Sequence, residues 1–287
     1  GLAGMCHPAW HWTRTQTNPA SLRIRMQPAL RELAKAECTL ETWFRTAKAG
    51  RGILIGNYST RYSGALNLEL QSNNRVRAYI QPTPNGGRRV DLTVSGDELG
   101  IKTRDGQWHH VALVRGGGKV ALYLDGRLAG ETADSAGAFE LQGDYYYLGR
   151  DTRVGTTVFE GDLAMVRLWN RALTAAEAAA SAAAAKVGAD KLAARGLVAQ
   201  YAFDAPEALE AGGTMQDSAG HADGPFNAVS HRPGQVAVSV RPEAPQALVS
   251  AGLTRQSVHI PTVPAPTELP EETVQHYIET YTKHPVL

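Results

Sequence analysis

The chain is short of several residue types and motifs, and each shortage excludes a class of protein. It holds two cysteines, Cys6 and Cys38, in 287 residues, so neither a dense disulfide scaffold nor a multi-cysteine metal site is available. Lys and Arg number 29 against 28 Asp and Glu. The near-zero balance argues against a dominant nucleic-acid role, which shows as a basic patch or a high domain pI. No apolar run approaches the roughly 18 residues that a membrane-spanning helix needs. There is no G-x-S-x-G, no phosphate-binding glycine loop and no G-x-G-x-x-G. A glucanase-like E-x-D-x-x-E pattern is also missing, so the paired carboxylates of glycoside hydrolysis are not evident.

The composition is otherwise that of an ordinary globular protein, 43% hydrophobic and 20% charged, and the pattern is organised around Arg104 to Leu173. Asp105-Gly106 is a turn. Trp108, His110, Ala112 and Val114 alternate with Gln107, His109, Val111 and Leu113, a strand with both faces largely apolar. Gly116-Gly117-Gly118 turns the chain into Val120 to Leu124, and Asp125-Gly126 is a strong hairpin signal leading into Arg127-Leu128-Ala129. Adjacent strand residues face opposite sides, so His109 and His110 cannot share one metal ion. Earlier, Ser21 to Met26 and Cys38 to Thr46 alternate. Shorter strands are expected at Ile53 to Ile55, Ala65 to Leu70, Arg75 to Ile80 and Val90 to Val94. Turn signals every 8–12 residues or so predict a sandwich or jelly roll. Pro28 to Lys35 reads as one helical turn or a loop. Thr174 to Lys186 is the one clear helix, opened by a Thr174–Glu177 capping box.

These stretches resemble a known family. DGQWHHVAL…GKVALYLDGRLAG, then YLGRD, then FEGDLAMVRLWNRALTAAE, with CTLETWFRTAKAGRGILIGN upstream, are similar to the laminin G-like domain of the concanavalin A-like lectin/glucanase superfamily. The resemblance covers roughly Ser21 to Glu177. It implies an all-β fold, an antiparallel sandwich of the concanavalin A-like jelly-roll type. GLVAQYAFD (Gly196 to Asp204) also resembles the family's opening strand, yet follows the helix instead of preceding CTLETWF. The favoured reading is that it pairs back to complete the first sandwich; the other is the start of a second domain. The expected organisation is an irregular segment at 1–20, the sandwich with its helix and closing strand at 21–231, and a proline-rich arm at 232–287.

Function is less constrained. The resemblance implies a non-catalytic recognition or adhesion module binding a glycan or a protein. Tyr58, Tyr62 and the run Tyr145-Tyr146-Tyr147, with Tyr146 at its centre, are candidate sugar-stacking residues; the alternative is that alternate tyrosines of the run face the core. A second reading is a structural subunit docked in a larger assembly through both extensions; the helix expected at Glu271 to Tyr281 would present Val274, Tyr277, Ile278 and Tyr281 to a partner. A glycosidase is the third. Relatives that hold calcium imply Asn57, Asp144 and Asp151 as oxygen ligands. Cys6 and Cys38 suit one disulfide in an exported protein, the favoured reading, or two buried thiols in a reducing compartment. Cys6-His7 has the shape of half a haem-attachment motif, but nothing else in the chain supports a cytochrome. Asn57-Tyr58-Ser59 is a glycosylation sequon, read as chance. Gly1 is not a Met, which fits removal of a leader.

Overall fold

The computed structural model describes residues 10–12, 22–58, 64–83, 88–150, 157–184, 195–201, 214–215 and 228–230. In chain order the strands are β1 (Trp10–Trp12), β2 (Leu22–Arg25), β3 (Cys38–Arg45), β4 (Gly52–Gly56), β5 (Ala65–Gln71), β6 (Arg75–Gln81), β7 (Val90–Ser95), β8 (Trp108–Gly116), β9 (Lys119–Leu124), β10 (Arg127–Ala133), β11 (Tyr145–Leu148), β12 (Gly161–Trp169), β13 (Leu197–Tyr201), β14 (Thr214–Met215) and β15 (Ala228–Ser230). A short helix α1 (Pro28–Arg31) and a longer one, α2 (Ala175–Ala183), complete the elements used below.

The strands form two antiparallel sheets, a β-sandwich of the jelly-roll type. The first runs β1-β12-β3-β8-β9-β10, with β13 also on β12; the second runs β14-β15-β2-β11-β4-β5-β6-β7. Alternation decides which residues meet between them. Leu40 and Phe44 of β3, Val111 and Leu113 of β8, and Leu122 and Leu124 of β9 point inward from the first sheet. Leu66 and Leu68 of β5, Val76, Ala78 and Ile80 of β6, and Tyr146 and Leu148 of β11 meet them from the second. The β9–β10 turn has positive φ at both Asp125 (47°) and Gly126 (75°), the type I′ geometry that matches strand twist.

β12 departs from strict alternation. Its register against β3 shifts between Ala164 and Arg167, and Met165 sits at φ 46°. This β-bulge inserts one extra residue and reverses the facing of every later position in the strand. Leu163, Val166 and Leu168 therefore all reach the core, while Arg167 and Trp169 stand on the outer face beside Glu41 of β3. Helix α2 lies over that face, burying Ala178, Ser181 and Ala182. Its capping box is formed, Thr174 Oγ1 accepting from Glu177 N and Glu177 Oε2 from Thr174 N. The helix stops at Ala183, short of the expected Lys186, because Ala184 is already extended at ψ 109°.

The segment after the helix places β13 antiparallel on β12, from Val166↔Tyr201 to Trp169↔Leu197. The cysteine expectation needs correction. Cys38 is a free thiol, wholly buried among inward-facing core residues, and not half of a bridge; Cys6 lies outside the described residues. Burial pushes the Cys38 thiol up to about 12. The expected arm helix with Val274, Tyr277, Ile278 and Tyr281 also lies outside the described residues.

Candidate functional site

The outer face of the second sheet carries the polar and aromatic residues that the core rejects. On β6 the inward Val76, Ala78 and Ile80 leave Arg75, Arg77, Tyr79 and Gln81 outside. On β11 the same parity leaves Tyr145 and Tyr147 outside, and on β2 it leaves Arg23 and Arg25. Strand register aligns these residues across the sheet. Arg23 pairs with Tyr147, Tyr147 with Gly56, Asn67 with Tyr79, and Tyr79 with Asp91. Tyr147 and Tyr79 are three strand spacings apart, about 14 Å. Between them Gly56 leaves room for a neighbour: a Cβ there would lie 2.5 Å from Asn67 Oδ1.

Three tyrosines of this face have an arginine against the ring. The Arg77 guanidinium carbon lies 4.4 Å from the Tyr79 centroid, that of Arg23 4.4 Å from Tyr145, and that of Arg150 5.7 Å from Tyr147. Tyr58 meets Tyr79 edge-on, with centroids 5.6 Å apart, and Tyr145 meets Tyr147 at 6.2 Å. Such contacts hold rings rigidly while leaving part of each accessible. Tyr58, Tyr79, Tyr145 and Tyr147 are all half-buried.

Glu69 fixes the middle of the face. It is wholly buried, although it points away from the core, because Arg51 and Arg77 close over it. Its Oε2 accepts from Arg51 Nη2 at 2.6 Å and from Arg77 Nη1 at 3.3 Å. Arg77 also grips Asp91 with two bonds, Nε to Oδ1 at 2.6 Å and Nη2 to Oδ2 at 2.5 Å. These charge-assisted bonds hold the Asp91 carboxyl below the usual range. Beside Tyr145, a cavity of about 170 Å³ is lined by Arg25, Met26, Arg31 and Asp144. The face can therefore offer aromatic surface, guanidinium donors and a small recess, but its two central carboxylates are already engaged.

A family model of the concanavalin A-like lectin/glucanases superfamily, of laminin G type, matches residues 22–179, more than half of the chain. The chain belongs to this superfamily. A comparison with curated proteins finds no match. Among solved structures, a Bacteroides ovatus protein provisionally described as carbohydrate binding shares 16% identity at a TM-score of 0.58, covering 83% of this chain and 62% of its own. A heptameric SAP-like pentraxin from Limulus polyphemus shares 18% identity at 0.47, covering 62% and 82%. Mouse laminin α1 domains LG4–5 share 17% at 0.44, covering 61% and 45%. At these identities the likeness concerns the fold.

On this laminin G-like sandwich the sequence-derived candidates scatter. Tyr58 lies on the aromatic face. Tyr62 lies outside the described residues. Tyr146 is corrected: it is wholly buried, and its hydroxyl donates to Leu66 O at 2.6 Å, so no ligand reaches it. Its neighbours Tyr145 and Tyr147 take the outward positions instead. Asn57 is corrected as a calcium ligand. Its Nδ2 donates to Gly64 O at 2.8 Å and Gln142 O at 3.0 Å, and its single oxygen accepts from Leu66 N at 3.0 Å. It is a buried clamp between loops. Asp144 is exposed, and Asp151 lies outside the described residues. Among the described residues, no group of three His, Cys, Asp or Glu is placed to hold a metal ion.

Sequence reasoning missed Tyr79, Arg77 and Arg23. A signal was available: RVRAYIQ alternates apolar and polar, which puts Arg75, Arg77 and Tyr79 on one face.

Proposed function

We propose that this chain is a non-catalytic recognition module that binds a glycan or a protein segment through the outer face of its second sheet. The observation that carries this reading is the group of half-buried tyrosines, three of them packed by an arginine. Ring faces suit the C–H surfaces of sugars or apolar side chains, and guanidinium groups suit hydroxyl and carboxylate oxygens. The superfamily is a fold with many functions, so the site and not the fold supports the proposal.

The non-catalytic part rests on the carboxylates. A glycosidase needs one carboxyl kept protonated and a second free to attack or activate water. On this face Asp91 is held ionised by Arg77, and Glu69 is closed beneath Arg51 and Arg77. Export is proposed from the family alone, since Cys38 is unpaired. Calcium is an added proposal and rests on Asp144, whose side chain faces solvent. The subunit reading depends on extensions outside the described residues and gains no specific observation.

A glycan and peptide array, run with calcium and with chelator, tests the proposal. Ligands found for the wild type should bind at least tenfold more weakly to Tyr79→Ala and Tyr147→Ala and equally well to Tyr146→Phe. Equal binding by all four proteins would move the site off this face.

A further inference from the structure

A second cavity, of about 200 Å³, lies at one end of the sandwich, where β3 and β5 end and β4, β8 and β12 begin. Lys48 and Arg51 approach it from the β3–β4 loop, Arg104 from the segment before β8, and Glu160 from the segment before β12. Leu70 and Phe159 supply apolar wall.

Arg104 is the unusual member. Its guanidinium is held by main-chain carbonyls: Nη1 donates to Lys48 O, and Nη2 donates to Gly50 O at 2.5 Å and Gln71 O at 2.6 Å. Gly50 sits at φ 113°, a conformation open mainly to glycine, and its carbonyl is one of those three. Carbonyls accept the hydrogen bonds without neutralising the charge. Three of the five N–H groups are thereby engaged. The Arg104 Nε is buried and has no hydrogen-bond partner among the described residues. No carboxylate among those residues pairs with Arg104 or with the exposed Lys48. Arg51 is already neutralised by Glu69, which leaves Glu160 as the one acidic group lining the cavity, against two cations. A half-buried guanidinium without a counter-charge is costly unless an anion joins it.

We propose that this cavity is a binding site for a small oxyanion, a sulfate, phosphate or carboxylate group, either free or carried on a larger ligand. Lys48 and Arg104 would supply the charge, the exposed Lys48 the accessible N–H donors, and Glu160 would bias against bulky polyanions. The site shares Arg51 with the tyrosine face but none of its tyrosines, and it stands without that proposal.

The test is calorimetric titration of the full chain with sodium sulfate, sodium phosphate and sodium acetate, each against chloride at matched ionic strength. Saturable binding of at least one of the three is expected. Lys48→Met should weaken it about tenfold, while Lys119→Met, the same charge change on a distant exposed lysine, should not. Arg104→Lys keeps the charge but not the fork and should weaken binding too; Lys48→Met decides if that variant does not fold. A sulfated or carboxylated sugar that binds more tightly than its inorganic or acetate counterpart would mark the group as a substituent, and equal affinity would mark a free-anion site. No saturable heat beyond the chloride control with any anion, or unchanged affinity in Lys48→Met, would overturn the proposal.

Discussion

The imidazole Nδ1 of His109 lies 2.9 Å from Asp125 Oδ2, joining the start of β8 to the β9–β10 hairpin. The other ring nitrogen lies 3.1 Å from Asp105 Oδ1, so both nitrogens face a carboxylate. A neutral ring would leave one lone pair against an anion; the doubly protonated ring donates to both. Burial opposes that charge, but the two carboxylates outweigh it and raise the His109 pKa above its ordinary 6.5. A raised folded-state value stabilises the fold in full below 6.5 and loses that contribution as pH climbs through the folded value. The melting temperature of the wild type should therefore fall between pH 6.5 and 9 more steeply than that of His109→Gln. Parallel curves would show that His109 does not titrate in this window.

On the opposite side of β8, His110 Nε2 lies 3.2 Å from Glu41 Oε2, and both side chains are wholly buried. Trp169 Nε1 donates to Glu41 Oε1 at 3.1 Å, and Arg167 Nη1 reaches the same oxygen at 3.4 Å and Ser181 Oγ at 3.2 Å. Burial disfavours the Glu41 charge, but His110 and Arg167 together hold its carboxyl below the usual range. Glu41→Gln removes the buried carboxylate that His110, Arg167 and Trp169 share. The expected cost is about 3–5 kcal/mol in urea unfolding, whereas Glu131→Gln on the exposed part of β10 should change stability by less than about 0.5 kcal/mol.

The buried Cys38 thiol, pushed up to about 12, should resist alkylation. The thiolate is the reactive form, and here it is both scarce and inaccessible. Peptide mapping after iodoacetamide should find Cys38 unmodified in native protein and modified once the chain is unfolded. Labelling at equal rates in both states would contradict its burial.

Gly126→Ala should destabilise by more than about 1 kcal/mol. The residue sits at φ 75°, and a methyl there would lie 2.8 Å from the Cα of Ala179 in helix α2. Loss of stability should come with weaker protection of α2 amides in hydrogen exchange. A neutral substitution would mean that the helix does not seat on the hairpin.

Much of this arrangement was legible because it is local. The alternation in WHHVALV, the Asp125-Gly126 turn and the Thr174–Glu177 box each lie within a few residues, and the sandwich is built from them. The misreadings share a different origin. YYYL contains no polar residue to reveal its phase, so only pairing with β2 and β4 settles that Tyr146 points inward. Asn57 is defined by Gln142, 85 positions away. The bulge at Met165 hides in an apolar run, GDLAMVRLW, where either phase looks acceptable.

The edge of β12 away from β3 is shared end to end by two strands, β1 along Gly161 to Leu163 and β13 along Val166 to Trp169. Trp10 and Leu163 are 153 positions apart, whereas Trp169 and Leu197 are 28 apart. Loop-closure entropy grows with the logarithm of that separation, which favours the β13 contact by about 1.5 kcal/mol. One edge is thus closed by both a long-range and a nearby contact. The sheet can finish most of this edge before its N-terminal strand arrives, so sequence separation alone favours an order of assembly in the fold.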